Sequence, residues 1–130
     1  MSNPSVSCPC GSVTVSVIDD TPCGFSAICH CTDCRATTGA PFFWVNGWPL
    51  DKIDVAGETV FHKEIQNERH SCASCGSFTH EVAPAFGMKL LPAGRLENPA
   101  PPMMHVYTRS SVYMIPDDGL PRFDEMPPMG

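Results

Sequence analysis

The sequence lacks long apolar runs and a basic leader segment. No stretch reaches the roughly 18 uncharged apolar residues that a membrane-spanning helix needs. The opening letters, "MSNPSVSCPC", contain neither the basic residues nor the apolar core of a secretory signal peptide. These absences predict a protein without membrane contact, and the cytoplasm is the expected compartment.

Basic residues are also scarce. The 130 residues include 8 Lys and Arg against 14 Asp and Glu, which gives a formal net charge of −6. The basic residues are scattered along the chain, and an acidic surface repels phosphate backbones. A nucleic-acid-binding function is therefore disfavoured.

Helical periodicity is the third absence, because no segment keeps a 3.6-residue apolar repeat for three turns. Residues 12–19, "SVTVSVID", instead place three valines on one face and Thr14 and Ser16 on the other, as a half-buried strand does. The fold class is predicted to be all-β, with short antiparallel strands in a single domain over residues 1–130 and one helical turn after Cys31. Shorter runs that end at Gly, Pro, Asn or Asp predict further strands at "GFSAI", "FFWVN", "KIDV", "TVFHKE", "FTHEV", "MKLL", "MHVYT" and "SVYMI".

Cysteine, by contrast, is abundant in this sequence. The chain has 8 cysteines, and most of them stand in C-x-C or C-x-x-C pairs. A disulfide across one or two residues is strained, whereas the same spacing suits a tetrahedral metal ion. The spacing therefore favours zinc over a disulfide framework.

Seven clustered cysteines divide into four plus three. The outer pairs predict one closed, structural zinc site, and a glycine follows the second thiol of each pair, where it permits a left-handed turn. These four predicted ligands are Cys8, Cys10, Cys72 and Cys75. The central "CHCTDC" supplies the other three, Cys29, Cys31 and Cys34.

The three-cysteine set predicts a catalytic zinc, because reactive zinc sites usually keep three protein ligands and an open position. Zinc with three thiolates can bind an incoming thiol and lower its pKa, so sulfur chemistry is the expected chemistry. An alternative stays open: Cys23, six positions before Cys29, can return across a hairpin and close the second site.

The order of these motifs resembles the glutathione-dependent formaldehyde-activating enzyme family. The similarity is carried by "CPCG", "CHCTDCRATTGAPF", "CASCG" and "HVYTRSSVYMIPDDGLPRFDEMP", in that order. The resemblance implies a β-tent fold with two zinc ions per chain, a structural one on the outer cysteines and a catalytic one on the central three. It also implies carbon–sulfur lyase activity, in which a small thiol such as glutathione and a small aldehyde, formaldehyde, form S-(hydroxymethyl)glutathione or are released from it.

Four residues near the central motif are candidates for substrate binding. Arg35 is the basic residue next to the cluster, and His30 stands between two predicted ligands, where its ring either contacts substrate or packs. Phe42 and Trp44 can form one wall of the pocket, although strand alternation can equally send Phe43 there.

Two other function classes compete with the lyase. A non-enzymatic binding module stabilised by zinc is favoured if Cys23 closes the second site. A thiol-redox enzyme needs a free nucleophilic cysteine, and Cys23 is the one left for that role.

Overall fold

A computed structural model describes residues 3–64 and 67–128, and within these ranges the chain forms ten strands and one short α-helix. The helix, α1, spans Thr32–Thr38. The strands are Ser5–Ser7 (β1), Thr14–Val17 (β2), Phe25–Cys29 (β3), Phe43–Pro49 (β4), Ile53–Ala56 (β5), Thr59–Glu64 (β6), Asn67–Cys72 (β7), Phe78–Ala83 (β8), Met88–Pro92 (β9) and Met104–Val106 (β10).

The strands form two sheets. The smaller has three strands in the order β1-β2-β5, and the larger has seven in the order β10-β3-β4-β9-β8-β7-β6. The all-β prediction is confirmed. Every strand pair is antiparallel except β10 with β3, which is parallel because the chain after β9 crosses over β4 and β3 before it re-enters the sheet.

The clearest predicted strand has the expected two-residue alternation. Val13, Val15 and Val17 are buried, whereas Thr14 and Ser16 are partly exposed. The alternation holds because one face of the small sheet packs on the core and the other faces solvent.

The strand prediction for residues 111–115, "SVYMI", is wrong. This segment forms no strand, and its apolar side chains Val112, Tyr113 and Met114 are exposed. Sequence alternation predicts a strand only where a neighbouring backbone is available to pair with it, and none pairs with residues 111–115.

The described residues form three apolar cores. The core around Val45, Met88 and Leu90 contains no cysteine, whereas the other two contain cysteines. One of these two contains the valines of β2, Trp48 and Leu91, together with Cys8 and Cys72. The other surrounds Cys29 and Cys34 and includes Ala27, Val106 and Tyr107. The fold therefore places the two cysteine groups in separate cores.

Within the described ranges, no helix is both long and apolar enough to cross a membrane.

Candidate metal centres

The outer cysteines form one compact group of four thiols. The Sγ atoms of Cys8, Cys10, Cys72 and Cys75 all lie within 4.8 Å of one another. Cys10 Sγ is 3.5 Å from Cys8 Sγ and 3.6 Å from Cys72 Sγ, although Cys10 and Cys72 are 62 positions apart in the chain. The group therefore joins the amino-terminal segment to the turn after β7.

Two similar turns prepare this group. Gly11 and Gly76 have φ values of +79° and +78°, the left-handed conformation that glycine adopts without steric cost. The Val13 amide donates to Cys8 Sγ at 3.2 Å, and the Ser74 amide donates to Cys72 Sγ at 3.3 Å. Such amide donors stabilise thiolates, so both turns favour metal binding.

The central cysteines form a second group of three thiols. Their Sγ atoms also lie within 4.8 Å of one another, and no fourth His, Cys, Asp or Glu of the described chain joins them. Cys29 ends β3, Cys31 is the N-cap of α1, and Cys34 lies in the first turn of that helix. The Cys34 amide donates to Cys31 Sγ at 3.3 Å, which fixes the spacing of the two sulfurs.

Cys23 does not complete the second group. Its thiol donates to the Phe25 carbonyl oxygen at 3.1 Å, and its side chain packs against the core that holds Cys8 and Cys72. The open alternative in which Cys23 closes the site is therefore wrong, because β3 carries the chain from one core to the other between Cys23 and Cys29.

Ionisation of one central thiol disfavours ionisation of its neighbours. The pKa of Cys31 is lowered far below the usual thiol range, first by its hydrogen bond with Cys29 and next by that with Cys34. Contacts of Cys29 with Cys31 and with Cys34 raise the pKa of Cys29, and burial raises it further. One thiolate therefore forms at the cost of its neighbours, and a divalent ion would let all three ionise. Both cysteine groups can hold a metal ion, and sulfur donors suit zinc.

A cavity of about 180 Å³ opens beside the three-thiol group. This volume is comparable to roughly six water molecules. Its wall is mainly apolar, and none of the four outer cysteines belongs to it. Its lining includes Cys29, Cys31, Cys34, Asn67, Arg69, Glu81 and Tyr107.

Arg69 contributes a buried charge to this cavity. Its Nη2 atom lies 3.7 Å from Cys34 Sγ and 3.5 Å from Glu81 Oε1. Burial lowers the pKa of the guanidinium, but Glu81 and Cys34 raise it by more, so Arg69 stays charged. Asn67 Nδ2 donates to Glu81 Oε2 at 2.7 Å and completes a polar patch on the cavity wall.

The four predicted substrate-binding residues do not line this cavity. Arg35 lies in a separate surface depression beside Tyr113, and Trp44 Nε1 donates to Ser26 Oγ at 3.2 Å. Alternation along β4 sends Phe43 to the cores beside the cavity, and Phe42 and Trp44 to the other face.

His30 is buried away from the cavity. Its Nε2 atom lies 3.0 Å from Nδ1 of His105, whose Nε2 lies 2.7 Å from Asp118 Oδ2. The His30 ring also lies 5.7 Å from the Phe42 ring, centroid to centroid. The substrate-binding role of His30, Arg35, Phe42 and Trp44 stays a prediction without support from the cavity geometry.

Sequence reasoning missed Arg69, Asn67 and Glu81. Arg69 is 35 positions from Cys34 in the chain. Its contact with that thiol arises only from the tertiary structure, in which β7 and β8 belong to the same large sheet as β3. The one sequence signal was polarity: "NERHSC" has too many polar residues for an ordinary strand, yet all of β7 is at least partly buried.

The family's sequence profile provides the deciding comparison. The profile of the glutathione-dependent formaldehyde-activating enzyme family matches residues 3–110, which include all seven clustered cysteines. The chain belongs to the glutathione-dependent formaldehyde-activating enzyme family. The match ends before the "GLPRF" segment, and no curated protein matches the chain.

Solved structures support the fold. A crystal structure of a Rhodobacter sphaeroides protein from a structural genomics programme is similar, with a TM-score of 0.58 and 23% sequence identity. The match covers 75% of this chain and 91% of that one. At this identity the similarity shows the fold alone.

Proposed function

We propose that this member of the glutathione-dependent formaldehyde-activating enzyme family is a carbon–sulfur lyase that joins a small thiol to a small aldehyde. The observation that carries the proposal is the difference between the two cysteine groups. The three-thiol group lines the cavity of about 180 Å³, whereas the four outer cysteines lie outside that cavity. An incoming ligand can therefore reach the three-thiol group from the cavity.

Each group would hold one zinc ion, a structural ion on the four thiols and a catalytic ion on the three. The catalytic ion would have three protein ligands, namely the buried thiols of Cys29 and Cys34 and the partly exposed thiol of Cys31. When bound, zinc would keep a substrate thiol in its thiolate form at neutral pH.

The chain's own residues supply the setting for the reaction. Apolar residues such as Phe25, Met88 and Leu90 line the cavity and limit its water, which keeps a thiolate sulfur reactive. The sulfur attacks the carbonyl carbon, a C–S bond forms, and the electron pair of the C=O bond moves to oxygen. That oxygen takes up one proton and the thiol has released one, so the addition consumes none.

Glutathione and formaldehyde are the substrates we infer from the family name, and the reverse reaction would release them. All eight cysteines are free thiols, which supports a reducing compartment such as the cytoplasm. The acidic net charge of −6 argues against a nucleic-acid partner.

The test compares two cysteine variants. We expect two zinc ions per purified chain, and Cys31→Ser should lose one of them together with all turnover above the spontaneous rate. NMR exchange between labelled formaldehyde and its thiol adduct measures turnover, and mass spectrometry under native conditions counts zinc. The matched control is Cys23→Ser, which should keep both ions and full turnover because Cys23 packs in the other core.

Turnover that survives in Cys31→Ser after loss of one zinc ion would show that the three-thiol group is not the reactive centre. Loss of a zinc ion in Cys23→Ser would contradict the ligand assignment.

A further inference from the structure

Arg69 is an under-satisfied buried cation. Its side chain is only 10% exposed, and its Nε and Nη1 atoms are buried and have no hydrogen-bond partner among the residues that the structure describes. Buried donors are almost always paired in native proteins, so an unpaired one indicates a missing partner. Two such donors on one guanidinium are a strong indication of this kind.

The contacts that Arg69 does make are long. A charge-assisted N–H···O bond is typically about 2.8 Å. The Nη2 atom instead lies 3.5 Å from Glu81 Oε1, and it shares that position with Cys34 Sγ at 3.7 Å. Glu81 makes its short hydrogen bond with Asn67, at 2.7 Å. Glu81 therefore balances the charge of Arg69 without occupying its hydrogen-bonding positions.

Asn67 adds a second unpaired group to the same wall. Its Nδ2 donates to Glu81, which directs its Oδ1 elsewhere, and within the described ranges no group pairs with this buried Oδ1. Arg69 and Asn67 both line the cavity beside the three thiols. The wall thus contains buried donors and a buried acceptor that no described residue pairs.

The location of Arg69 defines what can bind there. Among the described residues that line the cavity, Arg69 is the one Lys or Arg, and its guanidinium touches a thiol of the predicted metal site. A guanidinium binds a carboxylate through charge-assisted N–H···O bonds, and Nη1 can donate such a bond beside Nη2. A carboxylate bound to Arg69 would lie beside the sulfur cluster.

We propose that Arg69 is the specificity-determining residue of the site, and that it binds a carboxylate a few bonds from the sulfur of the thiol substrate. The substrate class is therefore a small mercaptocarboxylic acid, such as a 3-mercapto acid. This inference rests on the proposed function, because it assumes that a thiol enters the cavity and reaches the metal.

A purely structural role for Arg69 makes a different prediction. If the guanidinium only balances the charge of the thiolates, its loss would weaken the binding of every thiol equally. If it binds a carboxylate, its loss would affect thiols with that group and leave neutral ones unchanged. A matched pair of thiols separates these roles.

The experiment measures binding of 3-mercaptopropionate and its neutral amide, 3-mercaptopropanamide, to the metal-loaded protein by calorimetry. A charged hydrogen-bonded pair predicts a roughly ten- to hundredfold preference for the acid. Arg69→Gln should abolish the preference and leave the affinity for the amide unchanged. Arg109→Gln is the control, because Arg109 is exposed and pairs with Glu125 outside the cavity.

Two further measurements test the inference even if the Arg69→Gln variant misfolds. The double variant Arg69→Gln/Glu81→Gln removes both buried charges, and it should also lose the preference. A crystal structure of the wild-type protein with 3-mercaptopropionate should place the carboxylate within hydrogen-bond distance of the Arg69 guanidinium.

The outcomes separate the two proposals. Equal binding of acid and amide by the wild type, a preference that persists without Arg69, or a carboxylate located elsewhere would overturn the inference and leave the proposed function intact. If neither thiol binds the metal-loaded protein, the proposed function fails and the inference fails with it.

Discussion

The two cysteine groups share sulfur as donor atom but differ in sequence separation and in surroundings. The four-thiol group connects positions 62 apart, with Cys8 and Cys72 buried in the core between the two sheets and Cys10 and Cys75 exposed. The three-thiol group lies within one short segment, at the end of β3 and the start of α1, and faces a cavity. Sequence separation thus distinguishes the group that links distant segments of the chain from the group that lines the cavity.

Loop closure gives this difference an energetic scale. Holding the ends of a 62-residue loop together costs about 2 kcal/mol more entropy than closing a loop of about five residues. A metal ion on the outer cysteines removes that cost from folding. An ion on the central cysteines fixes only a turn that α1 already organises.

The largest expected effect is therefore on stability, at the four-thiol group. Cys72→Ser should lower the free energy of unfolding by about 3 to 5 kcal/mol, because Cys72 is buried and its thiolate would help to close the long loop. Cys31→Ser should cost about 2 kcal/mol less than Cys72→Ser, that is, about 1 to 3 kcal/mol. Urea unfolding of the metal-loaded variants measures both values. A loss of stability at Cys31 as large as that at Cys72 would remove the distinction between the groups.

A smaller expected effect is the contribution of His80, a residue of the large sheet, to the pH dependence of stability. His80 belongs to neither group, and its pKa falls from 6.5 to about 3 because of burial, with smaller effects of His70 and Lys89. Below pH 6.5 His80 therefore takes up a proton in the unfolded chain but not in the folded chain. The free energy of unfolding consequently falls as the pH falls toward 3.

Replacing His80 should remove this part of the pH dependence. Between about pH 7.5 and pH 5.5 the wild type should lose about 1 kcal/mol more stability than His80→Gln does. Urea midpoints at the two pH values, with zinc content checked in parallel, provide the measurement. Identical pH dependence in both proteins would assign the acid sensitivity to the thiols alone.

The smallest effect concerns the face of β4 turned away from the cavity. Trp44→Phe removes the hydrogen bond to Ser26, so stability should fall by about 1 kcal/mol while turnover stays unchanged. Val45→Ala, one position further and on the cavity wall, should change the KM for the thiol. A lower turnover rate in Trp44→Phe would instead support a substrate-binding role for Trp44.

Much of the fold was predictable from local pattern. Alternation located β2, and Gly and Pro marked the ends of most other strands close to their observed bounds. β1 was missed because it is three residues long, and β7 because polar side chains occupy its partly buried positions. In both strands, pairing with neighbours outweighs the weak intrinsic preference for a strand.

The sequence by itself determined the two cysteine groups that could hold metal ions. C-x-C and C-x-x-C spacings bring sulfurs together through local turns, and the glycines after the outer pairs permit the required backbone conformation. Only the tertiary structure decided what surrounds the three-thiol group. It excluded Cys23 and brought Arg69, Asn67 and Glu81 to the cavity, since contacts between distant strands depend on sheet order and register, which no local spacing encodes.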